Sequence, residues 1–592
     1  MTITQIQKQT NKNIQEKANL IWQIATHLVG LYKPHEYGKV ILPFTVLKRF
    51  DDALKKTKKA VLDAYNNFPA TMPDSVKEGV LTQKSGYKFY NTSKFDFEKL
   101  IADPDNIEDN FDAYLKGYSA NVLDILANFK FADEVKTLSN GNVLFTVVQE
   151  FNSSKANMDP DKISSQDMGY IFEELIRKFS ESYDEQAGAH FTSRDIIYLM
   201  TELLVLPERE EIEKDGCTKM AYDMAMGTSQ MLGCLTEKLK EINPDSDLTC
   251  FGQEFNPETY AIAKSDMLIK GGNASGMKYG DTLSDDQFTG YEFDYIISNP
   301  PFGIDWKREE SAVKKEHQLG DDGRFGPGLP KISDGQMLFM LNGIKKLKDT
   351  GRMAIIQNGS SLFVGDAGSV AIRKYIIEND LLEAIIQLPT DLFYNTGIAT
   401  YIWVIAKGKT KERLNKVQLI NASDCYIKRR KNIGSKRVDL DDDCIDLILK
   451  AYKEFDKKEY ENGNLKVESK VFDKEFFGYT TVTVETADKD EKGNYILKKG
   501  KKVAKKGAND TEIIPLTEDI DKFFEKNVLP YNPDAFMERS KDKVGYEIPF
   551  TRLFYKFIAP KSSDEIFKEI KELEAKETDL MKELFGDEYS KD

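Results

Sequence analysis

The chain predicts an α/β protein: a Rossmann-like, doubly wound, mostly parallel sheet, with a helical domain before it and an α+β region after it that ends in a long helix. Three patterns predict this. Through residues 1–165 the apolar positions recur at three- and four-residue steps, as in Ile21, Trp22, Ile24, Ala25, Leu28, Val29 and again in Val40, Ile41, Phe44, Leu47, Phe50. Between 166 and 410, short apolar runs at 249–253, 291–298, 353–357, 382–388 and 400–406 alternate with helical stretches, the pattern of strands that are buried on both faces. From 411 to 592 come a basic run (Lys428 to Lys431, then Lys436 and Arg437), acidic residues at Asp439 and Asp441 to Asp443, strand-like alternation at 479–485, a lysine cluster from Lys498 to Lys506, and a charged amphipathic helix at 563–585.

Three domains are expected from this division, since 592 residues exceed what one hydrophobic core serves. Hydrophobic residues at 40% and charged residues at 31% suit a soluble globular protein, and no apolar run approaches the roughly 20 residues of a membrane span. The polar first 17 residues lack the apolar core of a secretory signal, so a cytoplasmic location is expected. Five scattered cysteines without a CxxC pair, and four histidines, give neither a disulfide scaffold nor a metal site. A net charge of −15 argues against a chain that grips nucleic acid through its overall field. A local basic surface or a partner must help if DNA is bound. The Gly- and charge-rich stretch 303–335 fits no regular element and is expected to be mobile until DNA orders it.

The strongest chemical signal is Asn299-Pro300-Pro301-Phe302, directly after the apolar strand 293–298, because ligands of open parallel sheets bind at the carboxyl ends of strands. An exocyclic amine becomes nucleophilic when acceptors hold its two hydrogens and pull its lone pair out of conjugation. The Asn299 side-chain carbonyl and the Pro300 backbone carbonyl suit that task, Pro300 and Pro301 stiffen the turn, and Phe302 offers a flat face for an extruded base. Upstream, the small-residue turn Asp223-Met224-Ala225-Met226-Gly227-Thr228-Ser229 lies between a strand and a helix, where a cofactor can approach the backbone, most closely at Gly227. Glu254, at the end of the next strand, suits hydrogen bonds from ribose hydroxyls, and the bland alternative is a charge favoured near a helix N-terminus. Asp281 can accept from an adenine amine of the cofactor or simply cap a turn.

The order of these motifs, with Gly188-Ala189-His190-Phe191-Thr192-Ser193-Arg194-Asp195 in front and Gly252-Gln253-Glu254-Phe255-Asn256-Pro257-Glu258 and Gly280-Asp281-Thr282-Leu283 between, resembles the amino-methyltransferases of DNA, and specifically the modification subunit of type I restriction-modification systems. Leu388-Pro389, the run Leu392 to Ile398, Leu42-Pro43-Phe44 and Leu47-Lys48-Arg49 extend the likeness over residues 10–440. The resemblance implies the methyltransferase sheet, S-adenosyl-L-methionine as cofactor, and transfer of its methyl group to the 6-amino group of adenine in double-stranded DNA. It also implies a cofactor site formed by His190, Phe191, Thr192, Asp223, Ala225, Gly227, Thr228, Ser229, Glu254, Asp281 and Asn299. Its implied partners are a DNA specificity subunit, a second copy of the chain and a restriction subunit. A methyltransferase of a protein glutamine or of ribosomal RNA, and a catalytically weakened structural subunit, are the alternatives. The family commonly has Asp-Pro-x-Cys-Gly-Thr-Gly-Gly in the cofactor loop, whereas Met224, Met226, Ser229 and Gln230 stand here, so side chains are expected where bare backbone would meet the ligand.

Overall fold

The computed structural model describes residues 19–164, 167–169, 171–172, 174–175, 192–301, 303–394, 396–556 and 561–585. Helices dominate the N-terminal part because their apolar stripes close on one another around Gly38–Leu54. Phe44 on that helix meets the rings of Phe111, Phe131 and Phe151 at centroid distances of 5.6, 5.0 and 5.4 Å. On the same helix Lys48 and Asp52 form a buried ion pair at 2.8 Å, and Asp52 also accepts from the Met158 amide at 2.7 Å.

The central sheet is built from β1 Thr218–Asp223, β2 Asp247–Glu254, β3 Met277–Tyr279, β4 Phe293–Ser298, β5 Leu347–Asn358, β6 Leu382–Gln387, β7 Thr400–Ala406, β8 Lys416–Asn421, β11 Lys458–Asn462 and β12 Leu465–Asp473, with β9 Ile427–Ile433 and β10 Lys436–Asp439 forming a separate hairpin. Its ten strands lie in the order β11-β12-β8-β6-β7-β5-β4-β1-β2-β3. Of these ten, β7 and β12 run against the others. Every residue of β4 and β7 is buried, which is why both read as unbroken apolar runs. From β1 the chain winds outward through β2 to β3 and then returns to β4 on the other side of β1. That reversal makes the β1/β4 boundary a switch point, where the carboxyl ends open a crevice.

The structure departs from the sequence expectation in two places. The sheet continues beyond residue 410: β8, β12 and β11 extend it, with Val417, Leu419, Ile420 and Val467 buried in it. The stretch 303–335, expected to be irregular, is folded. It contains the helix Glu310–His317, and Trp306, Val313 and Phe325 are buried. Arg324 clamps it down, with Nε 2.7 Å from Glu316 Oε1 and Nη1 donating to the Thr282 carbonyl at 2.6 Å and to Asn342 Oδ1 at 3.1 Å. Its glycines concealed this apolar set.

Beyond the large sheet, β13 Gly478–Ala487 pairs with Ala504–Pro515, Ala535–Met537 and Lys543–Tyr546 in an antiparallel sheet. Residues 549–592 form a second unit. Within it the helix Ser563–Phe585 keeps Ile566, Ile570, Leu573, Leu580 and Leu584 between 46% and 73% exposed.

Candidate active site

β4 delivers Asn299 to the crevice. Asn299 is buried, and its Nδ2 donates to Thr192 Oγ1 at 2.8 Å. This contact fixes the amide plane and turns the carbonyl oxygen away from Thr192. One residue earlier, Ser298 Oγ donates to Asp223 Oδ1 at 2.7 Å, so the ends of β4 and β1 are joined directly. Asp223 Oδ1 also accepts from the Ala225 amide at 3.1 Å, which shapes the start of the loop after β1. Complete burial pushes the Asp223 carboxyl up to about 7.

The loop is held by backbone on one side and by Glu254 on the other. The Met226 amide donates to the Gln253 carbonyl at 3.1 Å, and the Gly227 amide donates to Glu254 Oε2 at 2.8 Å. Glu254 Oε1 accepts from the Asn256 amide at 2.8 Å, so this carboxylate serves the turn at the adjacent helix as well as the loop. Burial raises its proton affinity, and the backbone donors at Asn256 and Gly227 oppose that rise. Gly227 has φ of +50° and an open side toward which a Cβ would meet no atom, so the backbone there is bare to the crevice.

The altered loop residues do not stand in that open space. Met224 and Met226 are buried, and Met226 Sδ lies where a side chain on Gly252 would point. Ser229 is buried and has φ of +68°, the left-handed region that favours glycine. The glycine-type turn is therefore kept by a serine, at a cost on the order of 1 kcal/mol or more of backbone strain. The Gln230 amide packs against Gly169, where any side chain would collide with it. Met226 and Gln230 thus turn toward protein neighbours and leave the open side of Gly227 unfilled.

Asp281 follows β3 and caps its own turn, accepting at Oδ1 from the Leu283 and Ser284 amides at 2.7 and 3.0 Å. Beside it, Thr282 Oγ1 donates to the Met224 carbonyl at 2.6 Å, which ties this turn to the loop after β1. The carboxyl of Glu309, from the 303–335 excursion, lies against Asp281, and its proton affinity is raised by burial first and by the Asp281 charge second. Thr192, Asp223, Ala225, Gly227, Thr228, Ser229, Glu254, Asp281, Asn299, Pro300 and Pro301 thus gather at the carboxyl ends of β1 to β4 or on the segment bonded there. His190, Phe191 and Phe302 lie outside the described residues. Among the described residues no cluster of His, Cys, Asp or Glu could hold a metal ion, and no helix is long and apolar enough to cross a membrane.

Sequence reasoning missed one group that supports the site. Lys436 is almost fully buried, and its Nζ lies 3.1 Å from Ser193 Oγ, 3.1 Å from Asp195 Oδ2 and 2.9 Å from the Leu392 carbonyl. It anchors the segment whose Thr192 orients Asn299. It stands within a basic run, where nothing in the sequence sets it apart from its neighbours.

A switch-point crevice with a buried, oriented amide at the end of one strand and an open glycine turn at the end of its neighbour is the arrangement with which doubly wound α/β proteins bind nucleotide-type ligands. The model of the N-6 DNA methylase family matches residues 163–494, more than half of the chain, and the HsdM N-terminal domain model matches residues 17–151. The chain belongs to the N-6 DNA methylase family and is a DNA adenine methyltransferase. The MjaIX type I restriction enzyme methylase subunit of Methanocaldococcus jannaschii is 24% identical to it over 512 residues, 84% of this chain and 85% of that one. The HindI type I methylase subunit of Haemophilus influenzae is 28% identical over 334 residues, 55% of this chain and 70% of that one. A type I restriction-modification methyltransferase subunit from Streptococcus thermophilus shares the fold, with a TM-score of 0.60 at 23% identity, covering 78% of this chain and 97% of that one.

Proposed function

We propose that this chain uses S-adenosyl-L-methionine in the β1/β4 crevice and serves as the modification subunit of a type I restriction-modification complex, where a specificity subunit selects the DNA sequence. The observation that carries this reading is the buried amide of Asn299, oriented by Thr192 at the end of β4. When bound, the cofactor supplies a methyl group on a sulfonium, so no metal and no covalent enzyme adduct are needed. Asn299 Oδ1 and the Pro300 carbonyl accept the hydrogens of the extruded adenine amine and aim its lone pair at that methyl group. Rate comes from positioning and from acceptors fixed before the base arrives. Phe302 stacks on the base, and His190 and Phe191 cover the cofactor.

Glu254 holds the loop through the Gly227 amide and can accept from ribose hydroxyls beside it, and Asp281 takes the cofactor's adenine amine. Replacing Glu254 by alanine is expected to weaken cofactor binding by roughly 5- to 150-fold, since about 1 to 3 kcal/mol is at stake when an acceptor is removed from its donors. Calorimetric titration with S-adenosyl-L-methionine checks this, and parent affinity in the variant means that the site is elsewhere. No binding by the parent chain itself favours a structural subunit.

The apolar seam of Ser563–Phe585 supports the assembly part of the reading, because Ile566, Ile570, Leu573, Leu580 and Leu584 repeat at the steps used between helices and all are exposed. It is proposed to pack on the specificity subunit, which joins two modification subunits and a restriction subunit. Ending the chain at Ser562 is expected to leave a folded protein that binds the cofactor but no longer co-purifies with the specificity subunit. Full stoichiometry in the truncated complex assigns the helix no role in assembly.

A further inference from the structure

We propose that the β9–β10 hairpin is this chain's own grip on the DNA backbone next to the target base. The inference rests on the proposed function above and adds to it the element that meets the phosphates. A protein of net charge −15 needs local cations to hold a polyanion. The hairpin supplies them: Lys428, Arg430 and Arg437 are all exposed, and among the described residues none of the three is in an ion pair. The carboxylate on the hairpin, Asp439, is committed to Arg429 at 2.5 Å and to Lys436 at 3.2 Å. Among the described residues these three cations therefore have no carboxylate counter-charge.

The hairpin is also fastened to the catalytic centre. An isolated two-stranded hairpin is marginal in water and stays in place only by packing. Here the Ser435 amide donates to the Tyr394 carbonyl at 2.7 Å and the Arg437 amide to the Asp391 carbonyl at 2.8 Å. Gly434, with φ of +55°, makes the turn so close to Tyr394 that a Cβ there would meet its carbonyl oxygen at 2.5 Å. Lys436 passes inward to Ser193, whose neighbour Thr192 holds the Asn299 amide. Three exposed cations thus sit on an arm bonded to the segment that is proposed to position the target amine. That is the arrangement needed to hold the phosphates flanking a base while it is rotated out, with Lys and Arg fixing register and carrying no sequence information.

The test compares the full parent chain, alone and with its specificity subunit, with the hairpin variant K428Q/R430Q/R437Q. A charge-matched variant, K498Q/K501Q/K505Q, removes three exposed lysines that belong to other strands as a control. Binding of a fluorescent DNA duplex is measured across a salt series, and cofactor binding by calorimetry verifies that each protein is folded. The hairpin variant is expected to bind the duplex roughly tenfold or more weakly, with the slope of log affinity against log salt reduced by about three, one for each phosphate that no longer meets a cation. Its cofactor affinity and the control's DNA binding stay at parent values. A parent-like slope and affinity in the hairpin variant overturns this inference alone, as does an equal weakening in the control. A parent chain that binds no duplex in either form overturns the proposed function together with it.

Discussion

Asn299→Ala is expected to lower methyl transfer by about a hundredfold or more, the usual consequence of removing one preorganised hydrogen-bonding group from a reaction centre. Cofactor affinity should stay within a few-fold of the parent, because the side chain is assigned to the amine and Thr192 is its observed anchor. Single-turnover rates with saturating DNA, measured beside calorimetric cofactor binding, separate the two effects. A variant that keeps near-parent single-turnover rates takes Asn299 out of the chemistry. A parallel loss of cofactor affinity moves its role to the cofactor. Thr192→Val offers a graded companion: the amide remains but loses the partner that orients it.

Arg352→Met is expected to destabilise the large sheet by about 3 to 5 kcal/mol, because it takes the hydrogen-bonded counter-charge from a buried carboxylate and leaves it only Arg413, at 3.8 Å. Arg352 on β5 and Glu383 on β6 are both almost fully buried and meet through two bonds, Nη1 to Oε2 at 3.1 Å and Nη2 to Oε1 at 2.8 Å. Tyr452 OH accepts from Arg352 Nη2 at 2.8 Å and itself donates to Glu383. Burial alone raises the Glu383 carboxyl, but the Arg352 charge and its hydrogen bonds outweigh it and bring the folded value down to about 2 from an ordinary 4.5. A depressed acid contributes stability that is present above the unfolded value and lost as pH falls. This pair should therefore stabilise fully above about pH 4.5 and lose its contribution between there and about pH 2. The single variant should unfold at markedly lower urea concentration at neutral pH, and Arg352→Met/Glu383→Gln should recover part of the loss. Unchanged urea midpoints in the single variant would contradict this account of the pair.

The elements that periodicity specifies were legible in the sequence. β4 and β7 are buried on both faces, so their apolar runs announce strands, and the helix 563–585 carries a four-and-three seam. The Asn299 motif was legible for a related reason, since it follows a buried strand where ligands bind. What escaped was information carried by single long-range contacts. Lys436 reads as one more residue of a basic run, and only the fold carries it inward to Ser193 and Asp195. Arg324, amid glycines, looked like part of an unstructured loop until its guanidinium met Thr282, Asn342 and Glu316. Ser229 lacks the glycine signal of the loop but keeps the glycine conformation, which composition cannot reveal. Glu254 was read as a ribose acceptor, with a bland role near a helix start as the alternative. In the structure its two oxygens accept from the Asn256 amide at the helix turn and from the Gly227 amide of the loop, which sequence position alone does not show.

Asn299 is proposed to present an adenine amine of DNA for methylation, under the direction of a specificity subunit. The most direct measurement is modified-base sequencing of DNA from methylation-deficient cells that express this chain with its genomic neighbours, set beside the same cells carrying Asn299→Ala. Expected are N6-methyladenine at one recurring sequence with the parent chain, its loss with Asn299→Ala, and its loss when the specificity subunit is omitted. Methylation of cytosine instead of adenine, or N6-methyladenine that persists in the Asn299→Ala cells, would contradict it.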